Sequence, residues 1–247
     1  KVEVVINPQR IVSLVPSQTE LLCDLGLDER VAGITKFCVH PTKWFRTKTR
    51  IGGTKQLNFE SISALNPDLI IANKEENNKE DIERLAKDYP VWVSDINNLD
   101  SALEMIRLVG KVTSTDGSEL VLEIERNFQQ LKPIYPEQKT LYLIWKDPYM
   151  SAGPDTFIHD IMKRCGFENA ISESRYPKLS EEAISELNPD LVLLSSEPYP
   201  FKKKHIQELQ QLLPNAEIKL VDGEMFSWYG SRLNLVPSYL KHHLFVQ

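Results

Sequence analysis

"NFESISALNPDLIIAN", residues 58–73, and "SEEAISELNPDLVLLS", residues 180–195, say nearly the same thing. Each starts at a small polar residue suited to cap a helix, continues with apolar residues at helical spacing, and breaks at Asn-Pro-Asp. Each then ends in an unbroken apolar run. Glu60 and Glu182 sit at the same place, in the first turn of the predicted helix. A strand apolar at every position has no side for water, and such strands belong to parallel sheets covered by helices on both faces. The repeat therefore predicts an α/β fold in which one helix–turn–strand unit is used twice.

The same alternation extends outward from both copies. "RIVSLVPSQTELLCDLGL", residues 10–27, reads as a strand over Ile11 to Val15, then a helix capped by Ser17 that runs to Leu25 and ends at Gly26. "VAGIT" is a strand, followed by an irregular stretch from Lys36 to Leu57 containing Pro41, Gly52 and Gly53. "KEDIERLAKDY" reads as a helix and "VWVSD" as a strand. From 101 to 131 apolar residues keep helical spacing, interrupted only around Thr113 to Gly117, and Pro133 and Pro136 mark the exit. Beyond it come strand "TLYLIW", helix "DTFIHDIMKRCG", strand "LVLLS", helix "KKKHIQELQQLL", strand "IKLVD" and a final helix from Ser231. The expected architecture is two Rossmann-like lobes with parallel sheets, 1–99 and 135–247, joined by one long backbone helix over 100–134, with a ligand cleft between them.

Composition narrows the function. The 247 residues are 41% hydrophobic and 26% charged, and the formal net charge of −6 argues against a nucleic-acid surface. No apolar run reaches the roughly 20 residues a membrane span needs. Cys23, Cys38 and Cys165 have no CxxC spacing, so neither a disulfide framework nor a structural zinc site is expected. The opening KVEVVINPQ shows no signal peptide. The chain has no GxSxG or HExxH motif, and its predicted loops offer only Asp147, Asp155 and Asp222 as isolated acids; no catalytic residue and no enzyme is expected.

Several residues suit ligand binding. "DGEMFSWYGSR", residues 222–232, places Trp228, Tyr229 and Arg232 just before the final helix, where they are expected to line a cleft and meet an anionic or amide group. Cys38 and His40, two positions apart in a loop, have the donor chemistry for a soft or borderline metal. A buried cysteine beside a hydrogen-bonded histidine is the commoner meaning of that pair, so the metal assignment stays open.

The order of "RIVSLVPSQTELLCDLGL", the glycine pair at 52 and 53, the two E(x)5NPDL units around a long helical segment and "DGEMFSWYGSR" resembles the substrate-binding proteins of ABC importers that have a helical backbone between their lobes. Cobalamin, haem and iron-siderophore receptors make up that group, and the likeness is greatest to the periplasmic cobalamin-binding members. The resemblance implies a receptor that captures a metal chelate, cobalamin or a related corrinoid, and delivers it to a membrane permease dimer. Haem or an iron siderophore is the alternative ligand, and an intracellular tetrapyrrole carrier or enzyme the alternative role. It implies a monomer, no intrinsic cofactor, and a periplasmic or cell-surface location. By resemblance Phe37 and Tyr176 fall where receptors carry ligand-contacting aromatics, while Thr54 and Asn73 stand where tryptophan is usual. Glu60 and Glu182 match the glutamates that dock on permease arginines, although a first-turn glutamate also simply opposes the helix dipole. Cys165 matches a cysteine that in receptors pairs with one in the last helix, and this chain has none there.

Overall fold

Runs of Ile, Val and Leu leave a strand no polar face, and in this chain such strands occupy the centres of the two main sheets. The computed structural model describes residues 7–131 and 138–244. It divides into two compact units. The first comprises Lys1–Ile96, Asp100–Ile124 and Tyr229–Asn234; the second comprises Asn97–Leu99, Glu125–Trp228 and Leu235–Gln247.

In chain order the first unit has β1 (Ile11–Ser13), α1 (Pro16–Asp24), β2 (Val31–Ile34), α2 (Thr42–Thr47), β3 (Thr49–Arg50), β4 (Gly52–Gly53), β5 (Gln56–Leu57), α3 (Phe59–Leu65), β6 (Leu69–Asn73), α4 (Lys79–Leu85) and β7 (Val91–Ser94). α5 (Leu99–Thr113) lies almost wholly in it, and α6 (Ser118–Gln129) crosses the division. Its sheet is parallel throughout, in the order β3-β2-β1-β6-β7, and β1 and β6 are buried along their whole length. β4 and β5 form a separate hairpin.

The second unit has β8 (Gln138–Trp145), β9 (Tyr149–Ser151), α7 (Phe157–Arg164), β10 (Phe167–Asn169), β11 (Lys178–Leu179), α8 (Glu181–Leu187), β12 (Leu191–Ser195), α9 (Lys203–Leu212), β13 (Glu217–Val221), α10 (Glu224–Ser227) and α11 (Val236–Tyr239). β10, β8, β12 and β13 run parallel to one another. The all-parallel expectation fails for β9 and β11, which pair antiparallel, β9 with β8 and β11 with β9. Asp147 with φ 64° turns the chain straight back between β8 and β9, so no crossover helix intervenes.

The repeated Asn-Pro-Asp does identical work in both units. Asn66 and Asn188 end α3 and α8 in the left-handed conformation, with φ 45° and 42°, which asparagine tolerates better than most residues. Proline stops the helix. Asp68 then accepts hydrogen bonds from the N–H groups of Gln9 (2.7 Å) and Arg10 (2.8 Å), while its own N–H donates to the Arg10 carbonyl (3.0 Å). Asp190 accepts from the Lys139 N–H (3.0 Å) and donates its N–H to the Lys139 carbonyl (2.9 Å). Each aspartate thus fixes where the central strand starts against its neighbour, giving the registers Ile11↔Leu69 and Thr140↔Leu191.

The expected single backbone helix over 100–134 is two helices, and its last positions, 132–134, lie outside the described residues. Ser114 takes φ 54°, the Thr115 N–H returns to the Gly110 carbonyl (2.8 Å), and the Asp116 carboxylate accepts the Ser118 N–H (2.9 Å) to restart the helix. A Cβ on Gly117 would stand 3.0 Å from Ile106, so α6 begins beside the middle of α5 instead of continuing its axis. The interrupting residues around Thr113 to Gly117 were therefore a reversal, since five consecutive small or polar residues satisfy one another locally. Ser17 does not cap α1: Pro16 occupies its first turn and Val15 is the boundary residue. The final helix from Ser231 is a 3-10 turn at Ser231–Asn234, then α11, then a π turn at Leu240–Leu244.

Replacing Asp68 or Asp190 by alanine removes charge-assisted acceptors for backbone donors at the start of a central strand. Each substitution is expected to lower unfolding free energy by about 2 kcal/mol, read from the urea midpoint, with Asp68→Ala the more damaging because it loses two such bonds.

Candidate functional site

Strands of a parallel α/β sheet point their carboxyl ends to one edge, where loops can gather polar groups around a ligand. In the first unit that edge carries a buried polar net. Asn73, at the end of β6, is 2% exposed; its amide donates to the Ser94 hydroxyl (3.0 Å) and carbonyl (3.2 Å), and its side-chain oxygen accepts the N–H groups of Glu75 (2.9 Å) and Glu76 (3.2 Å). Gln18 donates to the same Ser94 hydroxyl (2.6 Å), which donates onward to the Ala72 carbonyl (3.2 Å). Asn77 accepts the Asn73 N–H (2.9 Å) and donates to the carbonyl of Thr54 (2.9 Å), fixing the turn of the β4–β5 hairpin, where Thr54 is half-buried. Asn73 is thus a turn-building residue, a role that its place after an apolar strand did not announce.

Phe37 follows β2 and is 51% exposed. Its ring lies over the hairpin, since a Cβ on Gly53 would come 3.1 Å from it, and the Lys36 ammonium is 5.1 Å from the ring centroid. A side chain at Gly53 would crowd that seat, which accounts for the glycine. Cys38, one residue on, turns inward and is wholly buried, with the hydroxyls of Thr19 and Thr35 each 3.1 Å from its sulfur. Burial pushes its thiol pKa up against the pull of those hydroxyls. His40 is half-buried and joined to Pro41 by a cis bond. Among the described residues no three His, Cys, Asp or Glu side chains gather as a metal site.

Trp228, Tyr229 and Arg232, expected as open cleft walls, are 6%, 6% and 8% exposed. In the second unit the Trp228 ring N–H donates to Glu197 (2.9 Å), as does the Ser227 hydroxyl (2.7 Å). Burial raises the Glu197 pKa, and these donors hold it down only in part. Arg232 belongs to the first unit and grips Glu20 of α1 through two bonds, 2.8 and 2.7 Å. Gly230, at φ 130°, lets that segment close on α1, as a Cβ there would stand 3.0 Å from the Ser17 carbonyl. Tyr176 is half-buried on the loop before β11, with the Arg175 guanidinium 5.7 Å from its ring centroid. Sequence reasoning passed over Glu197 and Arg175, which carry no periodic or motif signal.

Glu60 and Glu182 occupy the same helical position, second after the cap, and both are exposed. Asn58 caps α3 by accepting the Ser61 N–H (3.0 Å), and Ser180 caps α8 by accepting the Ala183 N–H (3.2 Å). A hydrogen bond from its own backbone N–H, then one from Ser180, lowers the Glu182 pKa and keeps it ionised. Buried Cys165 and Cys38 and half-buried Cys23 are all free thiols.

Two α/β units of one plan, bearing aromatic rings on loops and twin exposed carboxylates, have the build of a solute-binding protein of the periplasmic type. The chain belongs to the periplasmic binding protein family, which it matches over residues 11–216. It is 26% identical over 201 residues to an ABC transporter substrate-binding lipoprotein of Bacillus subtilis, covering 76% of this chain and 63% of that protein. The chain thus spans somewhat less than two thirds of that relative's length. It is 24% identical over 241 residues to a vitamin B12-binding protein of Pectobacterium atrosepticum, covering 92% and 85%. The structure of a periplasmic haem-binding protein from Roseiflexus superposes with a TM-score of 0.81 at 21% identity over 96% of this chain and 98% of that one, a likeness of fold. No helix among the described residues is long and apolar enough to cross a membrane.

Trp228 is placed as a core residue. Trp228→Ala is expected to cost about 3–5 kcal/mol of stability, measured by denaturant unfolding, because it opens a cavity and strips Glu197 of a donor.

Proposed function

We propose that this chain is the solute-capturing component of an ABC importer, working outside the cytoplasmic membrane, and that its cargo is a metal-bearing chelate: a corrinoid of the cobalamin type first, haem or an iron siderophore second. The observation that carries the importer reading is the twinning of Glu60 and Glu182. Each is exposed at the second position of a capped helix, in units built alike. A permease with two equivalent halves presents equivalent basic groups, and a carboxylate fixed at a helix start accepts an arginine fork in a defined direction. The vitamin B12-binding relative supports the corrinoid.

On the first unit Phe37 is the residue to meet a flat ring, since half its surface is open and its seat on Gly53 is rigid. On the second unit Tyr176 has that role. Trp228 and Tyr229 pack, and Arg232 anchors its segment through Glu20. Cys38, Thr54 and Asn73 support the loops on which Phe37 is carried, with His40 beside them in sequence; a metal in the cargo stays bound by its own macrocycle or chelator.

Titrating the purified chain with cobalamin, cobinamide, haemin and ferric siderophores, followed by ligand absorbance, is expected to give saturable binding to at least one of them. Phe37→Ala with Tyr176→Ala is expected to weaken that binding by about tenfold or more while leaving the thermal midpoint nearly unchanged. Failure of every ligand to bind overturns the chelate reading.

With Glu60→Ala and Glu182→Ala together, ligand affinity is expected to stay as in the parent while stimulation of the cognate permease is lost. Parental transport by the double variant makes the glutamates helix-end residues and nothing more.

A further inference from the structure

Arg175 stands at φ 64°, a conformation in which a side chain is strained and which glycine adopts freely. The backbone around it is pinned on both sides. Its N–H donates to the Asp155 carboxylate (2.6 Å), its carbonyl accepts the Gly153 N–H (2.7 Å), and the Pro177 carbonyl accepts the Ser151 N–H (3.1 Å). Gly153 has no room for a side chain, since a Cβ would fall 1.9 Å from the Glu173 carbonyl. Backbone strain held this firmly points to a function for the residue. The guanidinium lies 5.7 Å from the centroid of the Tyr176 ring and 4.0 Å from Asp155, at the outer limit of an ion pair, with 49% of the side chain open to solvent.

An aromatic face with a guanidinium at its side matches a flat ring carrying an anionic group at its rim, because the planar fork of arginine takes two oxygens of a phosphate or carboxylate at once. We propose that Arg175 is a specificity-determining residue, pairing with an anionic oxygen group on the edge of a metal chelate stacked at Tyr176. This rests on the chelate-binding function given above. Two sources supply that chemistry: the phosphodiester of a cobalamin and the carboxylates of a haem. Asp155 is an acidic group close to Arg175, and its contact is long enough to be exchanged for the ligand's oxygens.

The variant Arg175→Gly removes the guanidinium while suiting the backbone, which keeps its N–H to Asp155, so folding is preserved and the thermal midpoint is expected to hold or rise. Affinities of parent and variant are compared for cobalamin against cobinamide, which has the corrin ring without the phosphodiester, and for haemin against its dimethyl ester. The variant is expected to lose about tenfold or more for the anionic member of one pair and nothing for its counterpart, and to show a weaker salt dependence. The pair that responds identifies the source. Equal affinity of parent and variant for every ligand, equal losses for both members of a pair, or a parent that holds the anionic member no better than its counterpart overturns the proposal. A parent that binds none of the four chelates overturns the chelate-binding function itself, and the role of Arg175 falls with it.

Discussion

One aspartate in each unit, Asp68 and Asp190, decides where the sheet begins. A parallel pair of strands has no hairpin turn to set its register, and a slip by one residue turns every side chain over. The carboxylate meets backbone N–H groups at the head of the central strand while its own peptide bonds back to the same residue, so the alignment is fixed at one point and propagates. Everything after follows that registration: β6 and β12 are buried through their length, and their carboxyl ends bring Asn73 and Ser195 to the loop edge. The left-handed asparagine before it and the apolar run after it make the Asn-Pro-Asp-Leu tetrad a self-contained instruction for ending a helix and entering a sheet.

The candidate site is built by keeping polar groups busy beneath a few exposed rings. Asn73, Asn77, Gln18 and Ser94 bond one another and the loop backbone, which holds the hairpin under Phe37 in one shape. A ring on a preformed support loses little freedom when it meets a ligand, so more of the contact appears as affinity. The second unit solves the same problem with Gly153, Asp155 and the 173–177 loop around Tyr176.

The α/β class, the apolar central strands, the twin helix–turn–strand units and the family were legible because each rests on local rules: periodicity, capping and the proline stop. What was not legible depends on distant partners. Trp228, Tyr229 and Arg232 read as loop residues and therefore as open walls, yet Trp228 finds Glu197 and Arg232 finds Glu20 far along the chain. The reversal between α5 and α6 was hidden because apolar residues recur at helical spacing on both sides of it, and spacing says nothing about direction. The second unit's antiparallel strands escaped notice because β11 is too short to show a period. The positive φ of Arg175 leaves no trace in sequence at all.

The membership of Tyr229–Asn234 in the first unit carries a consequence for how the protein is made. A ribosome releases the chain from its amino end, so the sheet of the first unit is complete long before the segment that covers α1 has been synthesised. Through that interval Glu20 lacks Arg232 and the face of α1 that receives Gly230 stays bare. Closure of the first unit is thus a late event with high contact order, set by the arrival of residues near the carboxyl end. A chain stopped short of that segment would hold a formed sheet and an unfinished domain, the kind of species that quality-control proteases recognise.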